Sequence, residues 1–177
     1  LTEVPRVLHL ATHAFYLEQK ADELGMIRPL TLSGIALSGA NRGLKGKADP
    51  DGEDGILYAL EALNLNLTGT ELVVLSACET GKGLIDYSEG VYGLVRAFKI
   101  AGAYRLLMTL WKVGDKATKM FMIDFYKKWL ETDEAGKQKY WDDPAKALQE
   151  TQKYYINHPN EKWRDPKIWS AYVLVGP

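Results

Sequence analysis

Two kinds of hydrophobic patterning take turns along this chain. Residues 4–11 (VPRVLHLA) and 71–77 (ELVVLSA) are short, nearly unbroken apolar runs. Continuous rather than alternating hydrophobicity predicts strands buried on both faces, as in a parallel sheet. Residues 104–110 (YRLLMTL) and 171–175 (AYVLV) read the same way, and 34–37 (GIAL) gives a weaker strand. Between the runs the apolar positions take helical spacing. Ser88 precedes Val91, Leu94, Val95 and Phe98, a stripe that stops at Gly102, which predicts a helix capped by Ser88. A second helix opens at Asp115 and runs to Leu130, with Ala117, Phe121, Phe125 and Trp129 on one face. Asp143 followed by Pro144 predicts an N-cap and a proline at the first helical position, leading into Ala147, Leu148, Thr151 and Tyr155. Strand, helix, strand, helix, helix, strand implies an α/β fold, a sheet covered by helices. Residues 41–55 and 131–142 are rich in turn formers and charge without periodicity, and are expected to be surface loops.

Composition narrows the class. With 177 residues, 46% of them hydrophobic, the chain fills one core, so residues 1–177 are expected to form one domain. The net charge is −1, from 22 basic and 23 acidic residues spread along the chain, which leaves no electrostatic footprint for nucleic acid or an anionic membrane. A protein or peptide partner fits better. The longest uncharged stretch, residues 29–41, is too short to span a bilayer. The single cysteine and the lack of a secretory signal pattern point to a reducing cytoplasm. Because the chain opens at Leu1 and enters a strand at once, it is expected to be a piece of something longer.

The chemistry sits at two strand ends. His13 follows the first apolar run by two residues, and Cys78 follows the second immediately. Functional groups of open α/β sheets collect beyond the carboxyl ends of the strands, so the two residues meet if these strands are parallel neighbours. A cysteine beside a histidine acquires thiolate character, attacks a carbonyl and passes a proton through the imidazole to the leaving amine. Small neighbours, Ser76, Ala77 and Gly81, leave room for a substrate, and the backbone N–H of Cys78 is placed to serve an oxyanion. The competing reading is a buried structural cysteine with an unrelated histidine, which spacing alone leaves open.

Residues 9–14 (HLATHA) and 73–81 (VVLSACETG) resemble the two signature segments of the CHAT family, caspase-like domains often attached to tetratricopeptide repeats. Residues 37–42 (LSGANR), 54–57 (DGIL), 89–94 (EGVYGL) and 110–118 (LWKVGDKAT) resemble further family blocks in the same order, so the likeness spans nearly the whole chain. It implies a caspase-like, mostly parallel sheet flanked by helices, with residues 1–177 as the C-terminal catalytic part and the family's usual N-terminal elements missing before Leu1. It also implies His13 and Cys78 as a catalytic dyad, with the backbone N–H groups of Ala14 and Cys78 holding the oxyanion. Caspase-like peptidases often carry glycine where Ala14 stands, so backbone angles open only to glycine are lost here.

A separase-like string ends on the acid that selects a basic residue before the cleaved bond; residues 111–115 (WKVGD) are similar, which points to Asp115 and Trp111 as a specificity pocket. The plainer readings are that Asp115 caps its helix and that Trp111 is core. Glu79 either orients substrate or holds its loop. Strand alternation puts His9 on the face of His13, as a buried, hydrogen-bonded support, while His158 is expected at the surface. Three histidines and one cysteine without H-E-x-x-H or C-x-x-C spacing give no zinc site, and residues 49–54 (DPDGED) lack EF-hand spacing, so no metal or cofactor is expected. Residues 82–87 are expected to form a substrate-side loop. The function that results is a cytoplasmic cysteine endopeptidase cutting a protein after a basic residue, under control of a partner or an upstream domain such as tetratricopeptide repeats. The alternatives are a non-catalytic interaction or signalling module and a thiol hydrolase acting on small amides or esters.

Overall fold

The computed structural model describes residues 3–16, 29–43, 45–47, 52–76 and 86–177. It contains two compact units, Leu1–Trp111 with Val175–Pro177, and Lys112–Leu174. In the first, strand β1 (Val7–Leu10) leads into β2 (His13–Tyr16), a helical turn α1 (Pro29–Leu32) and β3 (Ser33–Ala36). A second turn α2 (Ala40–Gly43), strand β4 (Ile56–Tyr58) and a third turn α3 (Ala59–Ala62) precede β5 (Leu72–Leu75), helix α4 (Asp86–Ile100) and β6 (Arg105–Thr109). Strand β5 lies between β1 and β6 and is parallel to both, with Leu72 opposite Val7 and Arg105, and Leu75 opposite Leu10 and Met108. This is why its sequence is apolar without alternation: Leu72, Val73, Val74 and Leu75 are all at most 5% exposed.

Strands β2, β3 and β4 form a separate antiparallel sheet with β3 in the middle. Helix α4 packs on α1, α3 and β3 through a buried stripe that includes Leu94, Val95 and Phe98. It ends as the stripe predicts. The N–H of Ala103 donates to the Phe98 carbonyl at 3.0 Å and that of Gly102 to Lys99 at 3.1 Å, a Schellman closure that puts Gly102 at φ +108°. The helix is already running at Asp86, so Ser88 lies within its first turn rather than capping it. At the other end of the sheet, the Glu71 N–H donates to the Arg6 carbonyl at 2.9 Å and the Thr70 hydroxyl to the Pro5 carbonyl at 2.8 Å, locking the starts of β1 and β5 together.

In the second unit, α5 (Asp115–Trp129) and α6 (Pro144–Ile156) pack on each other, followed by a 3-10 turn (Glu161–Trp163) and α7 (Pro166–Trp169). Strand β7 (Tyr172–Val175) is the last element of the chain. The predicted helix faces are the buried ones: Phe121, Phe125 and Trp129 from α5, and Ala147, Leu148, Thr151 and Tyr155 from α6. Phe121 stacks on Tyr172 at 3.8 Å between ring centres, and the Tyr155 hydroxyl donates to Asp124 at 3.1 Å. Burial and that carboxylate push the Tyr155 phenol well above its ordinary range. Asp143 caps α6 as expected, accepting from the Lys146 N–H at 2.8 Å ahead of Pro144.

Three details of this unit depart from expectation. Gly114, not Asp115, occupies the N-cap of α5 and makes no side-chain cap bond; Asp115 is the first helical residue, at the end of the macrodipole that favours an acid. Residues 131–142 are not structureless, since Thr132 bridges Gln138 across a turn in which the Asp133 carboxylate accepts from the N–H groups of Ala135 and Lys137. His158 is half-buried rather than superficial, with its ring against Tyr154, Tyr155 and Trp163.

Candidate active site at the ends of two parallel strands

Parallel pairing fixes the geometry of the candidate site. Leu10 and Leu75 face each other across the last rung of the β1/β5 ladder, so the chain leaves both strands at the same end of the sheet. His13 and Cys78 each stand three residues past that rung. Neighbouring strands are about 4.8 Å apart and three residues reach at most about 10 Å, so the two segments start within reach of each other. Cys78 and Glu79 lie outside the described residues, as do Ala77 and most of the 82–87 loop.

His13 is the first residue of β2, not an extension of β1. The chain steps from one sheet to the other through Ala11 and Thr12, and the Thr12 hydroxyl secures the step by donating to the Ala36 carbonyl at 2.5 Å. His13 then pairs with Ala36, and Ala14 with Ile35, whose side chain is fully buried. No described residue other than glycine has a positive φ, so Ala14 needs none of the angles reserved for glycine, and its methyl group costs no strain.

The break at Thr12 removes the shared face proposed for His9 and His13. His9 instead hydrogen-bonds through Nε2 to the Ser76 hydroxyl. Its rung partner is Val74, and Ser76 is two residues further along, on the same face of the neighbouring strand. The hydrogen bond expected of His9 is therefore present, although the residue is exposed overall rather than buried. The covered part of the ring still depresses its pKa, because desolvation disfavours the imidazolium. Ser76 escaped the sequence reading because only the strand register reveals it as a partner.

A pocket of about 530 Å³ opens beside His13, walled by Thr12 and His13 on one side and by residues 36–42 on the other. Its outer wall is tied to the chain behind it. The Leu37 N–H donates to the Gly55 carbonyl at 2.7 Å, and the backbone of α2 lies directly on residues 54–55. A Cβ on Gly43 would come within 2.0 Å of the Asp54 carbonyl oxygen, and one on Gly55, at φ +72°, within 2.4 Å of the Ala40 nitrogen. The stretch 41–55 is thus a packed feature at its two ends, where sequence alone suggested only a loop.

Trp111, two residues beyond the end of β6, is 38% exposed and not a core residue. Its partner in the suggested specificity pocket, Asp115, belongs to the second unit, where it is exposed. No helix among the described residues is long and apolar enough to cross a membrane.

A mostly parallel central sheet flanked by helices is the caspase-like α/β arrangement. The chain belongs to the CHAT domain family, whose model matches residues 1–177. It is similar to tetratricopeptide repeat protein 28 of Mus musculus, 31% identical over 121 residues, and to that of Homo sapiens, 31% identical over 127 residues. These alignments cover 68% and 72% of this chain but 4% and 5% of the relatives, so the chain spans about a twentieth of their length.

Proposed function

We propose that this chain is a cysteine endopeptidase domain with Cys78 as nucleophile and His13 as its acid/base partner. The observation that supports the reading is the shared last rung Leu10/Leu75 of two parallel neighbours, which His13 and Cys78 each follow by three residues in the sequence. The Cys78 thiolate attacks the scissile carbonyl and forms a tetrahedral oxyanion, held by the backbone N–H groups of Ala14 and Cys78. His13 gives its proton to the departing amine as the C–N bond breaks, leaving a thioester on Cys78. Water, deprotonated by His13, then hydrolyses the thioester, releasing the acid product and restoring the thiol.

In this reading Asp115 and Trp111 favour a basic residue before the cut, and Glu79 orients the substrate. The resemblance of residues 111–115 supports the first assignment, and the exposure of Trp111 is in keeping with it. The substrate is a cytoplasmic protein, and activity is controlled by a partner or an adjoining regulatory domain. The name of the mouse and human relatives supports tetratricopeptide repeats as that domain.

The test is covalent labelling of the full-length protein by an acyloxymethyl-ketone peptide carrying Arg, read by intact mass. Wild type should gain one adduct, and Cys78→Ala and His13→Ala should gain none or label at least about a thousandfold more slowly. Labelling that survives Cys78→Ala overturns the assignment; a Cys78 no more reactive than a free thiol favours a non-catalytic interaction module.

A further inference from the structure

The geometry points to His9 as a positioning residue for the nucleophile: through Ser76 it fixes the exit of β5 relative to the stretch that carries His13. The inference rests on the peptidase reading and adds a residue to its machinery. It starts from spacing. Backbone pairing of β1 with β5 ends at Leu10 and Leu75, three residues short of each member of the proposed dyad. Beyond that rung the chain leaves β1 for the second sheet, and among the described residues the ladder does not continue. Attack on a carbonyl under a histidine tolerates little misplacement, since an error of about 1 Å costs about a hundredfold in rate. Side chains at the two exits must therefore set a distance that main-chain pairing no longer sets.

Two side-chain bonds sit at these exits. On the histidine side the Thr12 hydroxyl donates to the Ala36 carbonyl, one residue before His13. On the cysteine side the Ser76 hydroxyl bonds to Nε2 of His9, two residues before Cys78. The second bond is diagonal. His9 stands level with Val74, so its ring reaches forward along one face of the sheet, past the Leu75 rung, to Ser76. It carries the register of β1 beyond the point where the backbones stop pairing. His9 and His13 are four residues apart, so this bond refers the cysteine-bearing segment to the same stretch of chain that delivers the histidine. The stretch is anchored at its other end, where Arg6 and Pro5 accept from Glu71 and Thr70. Ser76 is half-buried, and the covered part of the His9 ring lowers its pKa by desolvation. The imidazole is therefore neutral above its ordinary 6.5, and the bond keeps one form across the range in which a thiol titrates.

The experiment uses full-length protein as wild type, Ser76→Ala, Ser76→Thr, His9→Phe and the Ser76→Ala, His9→Phe double variant, with urea unfolding to establish that each is folded in the assay. The first readout is the rate of acyloxymethyl-ketone labelling. Ser76→Ala and His9→Phe should each slow it about tenfold, and the double variant no more than either alone. Ser76→Thr keeps the hydroxyl and should stay within about threefold of wild type. The second readout is alkylation of Cys78 by iodoacetamide against pH, followed by mass on the peptide that contains it. Wild type should react near its maximum at about pH 7, as a thiolate paired with an imidazolium does. The Ser76→Ala and His9→Phe profiles should move toward the midpoint of an ordinary thiol, about pH 8.5. Unchanged rates and profiles in folded Ser76→Ala and His9→Phe overturn the inference and leave the peptidase reading intact. Additive losses, or a Ser76→Thr as slow as Ser76→Ala, also overturn it, because the bond is then not the agent. Losses matched by unfolding overturn it as well, and assign the pair to stability alone. Absence of labelling in wild type overturns the peptidase reading, and this inference with it.

Discussion

Strands β1 and β5 are the same length, lie side by side in register, and differ in almost everything else. β5 has a neighbour on each side and four buried side chains, whereas β1 pairs, among the described residues, only with β5 in this sheet and keeps Val7, Leu8 and Leu10 only half-buried. The strand that precedes Cys78 is thus fixed by the core, while the strand that precedes His13 is held from one side and then leaves for a second sheet. Stability and chemistry are divided unequally between two strands that the proposed reaction needs equally.

This contrast can be measured. The largest effect should come from Leu72→Ala, which empties a fully buried site in β5 and should cost about 3 kcal/mol in urea unfolding. Leu8→Ala in β1 should cost about 1 kcal/mol, since only part of that side chain leaves water. Equal costs would show that the edge strand is as deeply anchored as the central one. Ser76→Ala removes the cross-strand bond to His9 and should also cost about 1 kcal/mol, an effect that should disappear in a His9→Gln background if the pair acts as a unit.

The smallest effect is a pH slope. A His9 imidazole depressed below its ordinary 6.5 binds its proton more readily in the unfolded chain. Its contribution is therefore complete above about pH 6.5 and is lost as the pH falls through the folded value. His9→Gln should flatten that part of the stability profile, and an unchanged slope would assign it to other groups.

How much of this was visible beforehand follows from what each element buries. Strands β5 and β6 were legible because burial writes itself as continuous apolar sequence, and α5 and α6 because each buries one stripe; β1 reads the same way, yet its side chains are half-buried or exposed rather than buried on both faces. The small sheet was only partly legible. Its middle strand was read weakly, while His13–Tyr16 and Ile56–Tyr58 are four and three residues long, too short to show a period, and are held by partners distant in sequence. Helix starts were less secure than helix faces: Ser88 and Asp115 are common cap types, yet one lies inside its helix and the other follows a glycine cap. Trp111 looked like core because it is large and apolar, but it falls past the last buried rung of β6. Of the candidate site, the two parallel strand ends were readable, whereas the His9–Ser76 bond and the pocket beside His13 depend on register and on the second sheet.

The close approach of Gly43 and Gly55 to the backbone around them bears on how such a site can diversify over evolutionary time. A methyl group at either position meets main-chain atoms, which cannot swing aside as a side chain can. Both positions are therefore barred from drifting without moving the whole turn. Ser38, Asn41 and Arg42 line the same pocket with side chains rather than with bare backbone. Change in this part of the chain is therefore expected to fall on the side chains the turn carries before it falls on the two glycines that let it close.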